Sequence, residues 1–130
     1  MLFRSWLSVL VVEDNPISQL IACEMVSALG MSPVVAGSGE EAVTSCRDEA
    51  PALVLMDIEM PGMNGLDTTR ELRRLQAEGR LQRFPIIALT SRALPADRDA
   101  SLEAGMDEHL SKPIQLDGLR RVMRRWLAIG

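Results

Sequence analysis

Five polar residues interrupt an otherwise apolar pattern at places where chemistry could be done: Glu13, Asp14, Asp57, Thr90 and Lys112. Three carboxylates gathered at one point repel one another unless a hard cation sits among them. Magnesium favours a few carboxylate oxygens together with water and phosphate oxygens. An acidic magnesium pocket is therefore the economical reading of Glu13, Asp14 and Asp57. Lys112 is the only lysine among 14 basic residues. A compact ammonium suits a single phosphoryl oxygen as a point charge, whereas the arginine fork suits bidentate surfaces. Taken alone, a carboxylate after a strand is more often a helix cap, which is the better reading of Asn15. For Asp14 the company of Asp57, Thr90 and Lys112 reverses that preference.

These residues meet only if the chain gathers the ends of several strands, and the patterning predicts that it does. Short apolar runs alternate with helical periodicity throughout, the signature of a parallel sheet covered on both faces. Residues 8–12 read as a buried strand, β-branched and uninterrupted. Asn15 and Pro16 open a helix whose apolar face is predicted to carry Ile17, Leu20, Ile21, Ala28 and Leu29, with Gly30 ending it. Residues 32–36 form a second strand, placed at an edge because Pro33 lacks a ladder donor. Ser38 and Glu41 make a capping box for a helix with Ala42, Val43 and Cys46 inward. Residues 53–56 are a third strand that delivers Asp57 at its carboxyl end. A turn-rich loop to Gly65 follows, then a helix bearing Leu66, Leu72 and Leu75 that runs to about Glu78. A strand over 85–90, a helix over 97–104 stopped by Gly105 and a strand over 108–111 come next. Leu119, Val122, Met123 and Trp126 fall at i, i+3, i+4 and i+7 on a last amphipathic helix, whose Arg120, Arg121, Arg124 and Arg125 read as its solvated face. Five strands and five helices in this order predict an α/β fold. It is an open parallel (βα)5 sheet with right-handed crossovers, strand order 2-1-3-4-5 and a site at the carboxyl ends of its strands.

A length of 130 residues fits one domain, 1–130, with a folded core over about 7–128. Hydrophobic residues at 47% and charged residues at 25% exclude disorder. The net charge of -4 gives no long-range attraction to nucleic acid. No run approaches the roughly 18 apolar residues of a membrane span. The opening apolar run passes into Glu13 and Asp14 with no small-residue cleavage site, and reads as a strand instead of a leader. Cys23 and Cys46 have no partner at metal-ligand spacing, which fits a reducing compartment. A cytoplasmic chain, a monomer or weak dimer with no direct nucleic-acid or membrane contact, is expected.

The runs Val9-Leu10-Val11-Val12-Glu13-Asp14-Asn15, Met56-Asp57-Ile58-Glu59-Met60-Pro61-Gly62-Met63-Asn64-Gly65, Ala88-Leu89-Thr90-Ser91 and Leu110-Ser111-Lys112-Pro113 resemble, in order, the four signatures of response-regulator receiver domains. The resemblance covers nearly the whole chain. It implies a flavodoxin-like fold and a phosphoacceptor in two-component signalling. Asp57 would take a phosphoryl group from a phosphohistidine on a histidine kinase or histidine phosphotransfer protein. Asp14, Asp57 and the backbone carbonyl of Glu59 would hold magnesium, with Glu13 helping directly or through water. Thr90 and Lys112 would contact the phosphoryl oxygens. Such a domain catalyses only its own phosphorylation and dephosphorylation. His109 stands where the family often has Tyr or Phe, and would switch together with Thr90; an exposed strand residue is the plainer reading. Glu13 stands where Asp is more frequent. The stretch 13–30 is similar to receivers attached to hybrid sensor kinases. Glu59 and Arg92 are predicted to pair as a partial lid over the pocket.

Three other readings compete. A phosphatase of the haloacid dehalogenase type would need D-x-D-x-T at Asp57, where Ile58, Glu59, Met60 and Pro61 follow instead. A flavin binder of the same topology would need a Ser- and Thr-rich phosphate loop after the first strand. A degenerate receiver used only for docking would have lost its acidic pocket. Met56, Met60 and Met63 are better read as packing than as ligands.

Overall fold

The computed structural model describes residues 7–91 and 94–127. Its strands are β1 (Ser8–Val12), β2 (Ser32–Ala36), β3 (Leu53–Asp57), β4 (Ile86–Thr90) and β5 (Glu108–Ser111). Its helices are α1 (Pro16–Ala28), α2 (Gly39–Asp48), α3 (Gly65–Ala77), α4 (Pro95–Ala104) and α5 (Leu116–Leu127), alternating with the strands. All pairings are parallel and the order is β2-β1-β3-β4-β5, as the sequence predicts. Pro33 lies on the edge strand β2.

Two apolar layers flank the sheet. Val9, Val11, Leu53, Leu55, Ile87, Leu89 and Leu110 pack on Ala22 and Val26 of α1 and on Leu119, Val122 and Met123 of α5. On the opposite face Leu10, Val12, Val54, Met56, Ile86 and Ala88 meet Ala42 and Cys46 of α2 and Leu72 of α3. Strands buried on both faces must be apolar at every position, which is why β3 and β4 read as continuous runs. Each fully buried Leu or Ile contributes roughly 1.5 to 3 kcal/mol. Met56 and Met60 are buried in the second layer, as packing residues should be.

Two helix faces differ from expectation. Ile17, Leu20 and Ile21 are exposed, at 70%, 59% and 45%, and Ala28 is exposed too. The inward stripe of α1 is Ala22 and Val26, flanked by Cys23, Met25 and Leu29. The first two turns are apolar on two stripes, so periodicity alone cannot choose between them. The inner positions at the top of the helix go to Ser18 and Gln19, which touch the acidic rim. Trp126 sits at the margin, 36% exposed, its indole N–H donating to Glu108 Oε1 at 2.7 Å. Burial would have cost that N–H its partner.

Caps are largely as predicted. Asn15 Oδ1 accepts from the N–H of Ile17 and Ser18. Ser38 Oγ accepts from Glu41 N–H, while the Glu41 carboxylate accepts from Gly37 N–H, one residue short of a regular capping box. The helix predicted from 97 begins at Pro95, a proline in the first turn where no N–H is needed.

Candidate functional site

The ladder continues one residue beyond three strands, and those residues are, or adjoin, the charged side chains of this rim. Glu13 N–H donates to Ala36 O (3.0 Å), Ile58 N–H to Leu89 O (3.2 Å) and Lys112 N–H to Thr90 O (2.8 Å). Glu13, Asp57, Thr90 and Lys112 are therefore fixed by backbone pairing at one rim of the sheet. Lys112 Nζ lies 3.1 Å from Asp57 Oδ1 and 3.3 Å from Glu13 Oε2. Glu13 and Asp57 are both only 2% exposed, whereas Asp14 projects into solvent. Glu59 N–H donates to Asp57 Oδ1 at 3.1 Å and holds that carboxylate from the loop side. Thr90 is buried at the end of β4, one residue beyond Leu89, the partner of Asp57.

One ammonium facing two buried carboxylates leaves uncompensated negative charge. Burial first, and then the neighbouring Asp57 carboxylate, push Glu13 up to about 7, while Lys112 and the Ser18 hydroxyl pull it partway back. Burial by itself would lower the Lys112 ammonium, but Asp57 and Glu13 overcome it and the net shift is upward. Carboxylate oxygens of Glu13, Asp14 and Asp57 lie within 4.8 Å of one another. An all-oxygen donor set that combines buried anionic ligands with an exposed one open to water fits a hard divalent cation such as magnesium.

The structure thus gathers Glu13, Asp14, Asp57, Thr90 and Lys112, as the sequence predicts. His109 lies further down β5, opposite Ala88, while Ser111 lies opposite Thr90. Partners in a parallel pair point to the same face, so His109 and Thr90 are diagonal neighbours on one side of the sheet. His109 is half-buried, and burial, then the charge of Arg98, lower its pKa. Glu59 does cross to the β4–α4 loop, where its carboxylate accepts from Ser91 Oγ at 2.9 Å; its expected partner Arg92 lies outside the described residues.

Sequence reasoning missed three supporting residues. A Cβ on Gly65 would stand 2.3 Å from the Asp57 carbonyl oxygen, so only glycine lets α3 begin against the backbone of Asp57. The signal was a glycine directly after the cap residue Asn64, whose Oδ1 accepts from Asp67 N–H. Ser91 stands within a signature run but without a role, and Gln19 had no signal, because each acts through a side chain whose direction only the fold sets.

The sequence profile of the response regulator receiver domain matches residues 9–124. A sensor protein, GacS, of Pseudomonas syringae pv. syringae is 37% identical over 122 residues, which are 94% of this chain and 14% of that protein. The chain thus spans about one seventh of that relative's length. Among solved structures, the receiver domain of a Pseudomonas aeruginosa sensor histidine kinase, with magnesium in its active-site cleft, is 37% identical. It aligns with a TM-score of 0.84 over 95% of this chain and 98% of that one. A Saccharomyces cerevisiae receiver domain, solved with its histidine phosphotransfer protein, is 28% identical, with a TM-score of 0.85 over 92% of this chain and 88% of that one.

Proposed function

This chain belongs to the response regulator receiver domain family, and from that premise we propose that Asp57 accepts a phosphoryl group from a phosphohistidine in a phosphorelay. The observation that carries the reading is the contact of one ammonium, Lys112 Nζ, with both Asp57 and Glu13 at a rim where Asp14 completes an acidic triad. Magnesium would be held by Asp14, Asp57 and the Glu59 carbonyl, with Glu13 directly or through water, and when bound it supplies positive charge to the phosphoryl oxygens. The related receiver with magnesium in its cleft supports this cofactor.

A carboxylate oxygen of Asp57 attacks phosphorus as the phosphorus–nitrogen bond breaks, and the bond's electrons go to the departing imidazole. Lys112 and Glu59 N–H fix the Asp57 carboxylate beforehand, so catalysis is mainly positioning and charge neutralisation. Lys112 and the Thr90 hydroxyl then hold phosphoryl oxygens. Thr90 and His109, on one face of neighbouring strands, transmit the change toward α4, β5 and α5. The chain acts as one domain with no chemistry beyond its own phosphorylation and dephosphorylation. Its donor is a histidine kinase or a histidine phosphotransfer protein, a pairing supported by the yeast complex. The reading also places the chain in the cytoplasm without direct contact with nucleic acid or membrane. Among the described residues no helix is long and apolar enough to cross a membrane.

Mass spectrometry after incubation with acetyl phosphate and magnesium tests the assignment. One added phosphoryl group is expected on the parent and none on Asp57→Asn. Label uptake by Asp57→Asn at the parental rate would overturn it.

A further inference from the structure

Two backbone groups of Glu13 are held by different parts of the fold. Its N–H makes the last rung to β2 at Ala36 O. Its carbonyl oxygen accepts from Gln19 Nε2 at 2.5 Å, reached from the second turn of α1. A carbonyl only accepts, so the Gln19 amide is oriented with its nitrogen toward Glu13. Gln19 is half-buried, and its amide lies across from Gly37, where a Cβ would stand 3.8 Å from Nε2. On the far side of Asp14, Asn15 is anchored by its cap bonds to the N–H of Ile17 and Ser18.

The carbonyl of Glu13 belongs to the planar peptide that joins Glu13 to Asp14. Holding that oxygen therefore sets the orientation of the whole peptide unit, and with it the direction from which the Asp14 side chain leaves the backbone. Asp14 is the one exposed carboxylate of the three, and no hydrogen bond of its own side chain would do this instead among those described.

We propose that Gln19 is a positioning residue for the cation site. By clamping the Glu13–Asp14 peptide it aims the Asp14 carboxylate at the point where the Asp57 and Glu13 oxygens converge. This rests on the reading of the acidic triad as a magnesium site. It also explains why α1 gives inward positions near its start to polar Ser18 and Gln19 while Ile17, Leu20 and Ile21 face solvent.

Calorimetric titration with magnesium chloride tests the proposal on the parent, Gln19→Met and Gln19→Ala. Methionine keeps the length and loses the donor; alanine loses both. Both variants are expected to bind magnesium about tenfold more weakly, at the low end for groups that orient a metal ligand from behind. Their metal-free melting temperatures should stay at the parental value. Phosphoryl uptake from acetyl phosphate should need about tenfold more magnesium for half-saturation, yet reach the parental rate at saturation. Unchanged magnesium affinity in both variants overturns the role of Gln19 and leaves the magnesium site standing. A lowered saturating rate with no shift in half-saturation overturns it as well. Failure of the parent to bind magnesium overturns both readings together.

Discussion

The two rims of the sheet each carry a charged cluster, and the clusters are balanced differently. At the amino rim Arg73 of α3 donates from Nε to Gly105 O, from Nη1 to Phe84 O and Gln76 Oε1, and from Nη2 to Asp107 Oδ2, all at 2.8 to 2.9 Å. The same Asp107 oxygen accepts from Ile86 N–H at 2.8 Å. One guanidinium meets one carboxylate, and the nearby carbonyls at the start of β4 and β5 are satisfied. At the carboxyl rim one ammonium meets two buried carboxylates with a third close by. Charge withdrawn from solvent is common to both, partly at Arg73 and Asp107 and fully at Glu13 and Asp57, so its presence does not mark a site. Imbalance does: the saturated cluster is a strut, and the unsaturated one is poised for a further cation.

Breaking the strut should have the largest effect. Arg73→Ala leaves two carbonyls unpaired and Asp107 without its counter-charge, with only the Ile86 N–H still donating to it, and is expected to cost about 3 kcal/mol in urea unfolding, as removal of one partner of a largely buried, hydrogen-bonded pair does. The melting temperature should fall by roughly 10 °C. A loss below about 1 kcal/mol would place this cluster among ordinary surface pairs.

The carboxyl rim should respond with the opposite sign. In metal-free buffer Asp57→Asn removes one of two carboxylates that compete for Lys112, and unfolding free energy is expected to rise by about 1 kcal/mol. A loss comparable to that of Arg73→Ala would erase the distinction between the rims.

The smallest effect is a pH dependence. Glu13 sits at about 7 in the fold against an ordinary 4.5, so the folded chain holds that proton more tightly than the unfolded one. The stability this contributes is fully present below the unfolded value and is lost as pH rises through the folded one. With EDTA present, melting temperature should therefore decline between about pH 5 and pH 8, and Glu13→Gln should decline less. Parallel curves for the two proteins would remove Glu13 as the source.

This contrast also explains what could be read from the sequence. Glu13, Asp57, Thr90 and Lys112 were legible because backbone pairing places them, and strands advertise themselves through β-branched runs such as Ser8–Val12. The Arg73–Asp107 strut was not legible, since its partners lie 34 residues apart and neither interrupts an apolar pattern. The inward face of α1 was misread because hydrophobic periodicity identifies stripes without saying which one meets the sheet. Small residues, Ala22 and Val26, won the inner stripe against Ile17, Leu20 and Ile21. Trp126 fitted the period of α5, but its indole N–H needed a partner, and Glu108 at the margin supplied one.

Lys112, the sole lysine of the chain, is also its sole side-chain amine. Any acyl or alkyl group that a lysine-directed reagent places on a side-chain amine lands on the nitrogen that faces Asp57 and Glu13. Such labelling therefore has a stoichiometry of one per chain at side chains, and it reads a single chemical environment with no background from other lysines. Shielding of that nitrogen becomes a direct footprint of whatever occupies the pocket.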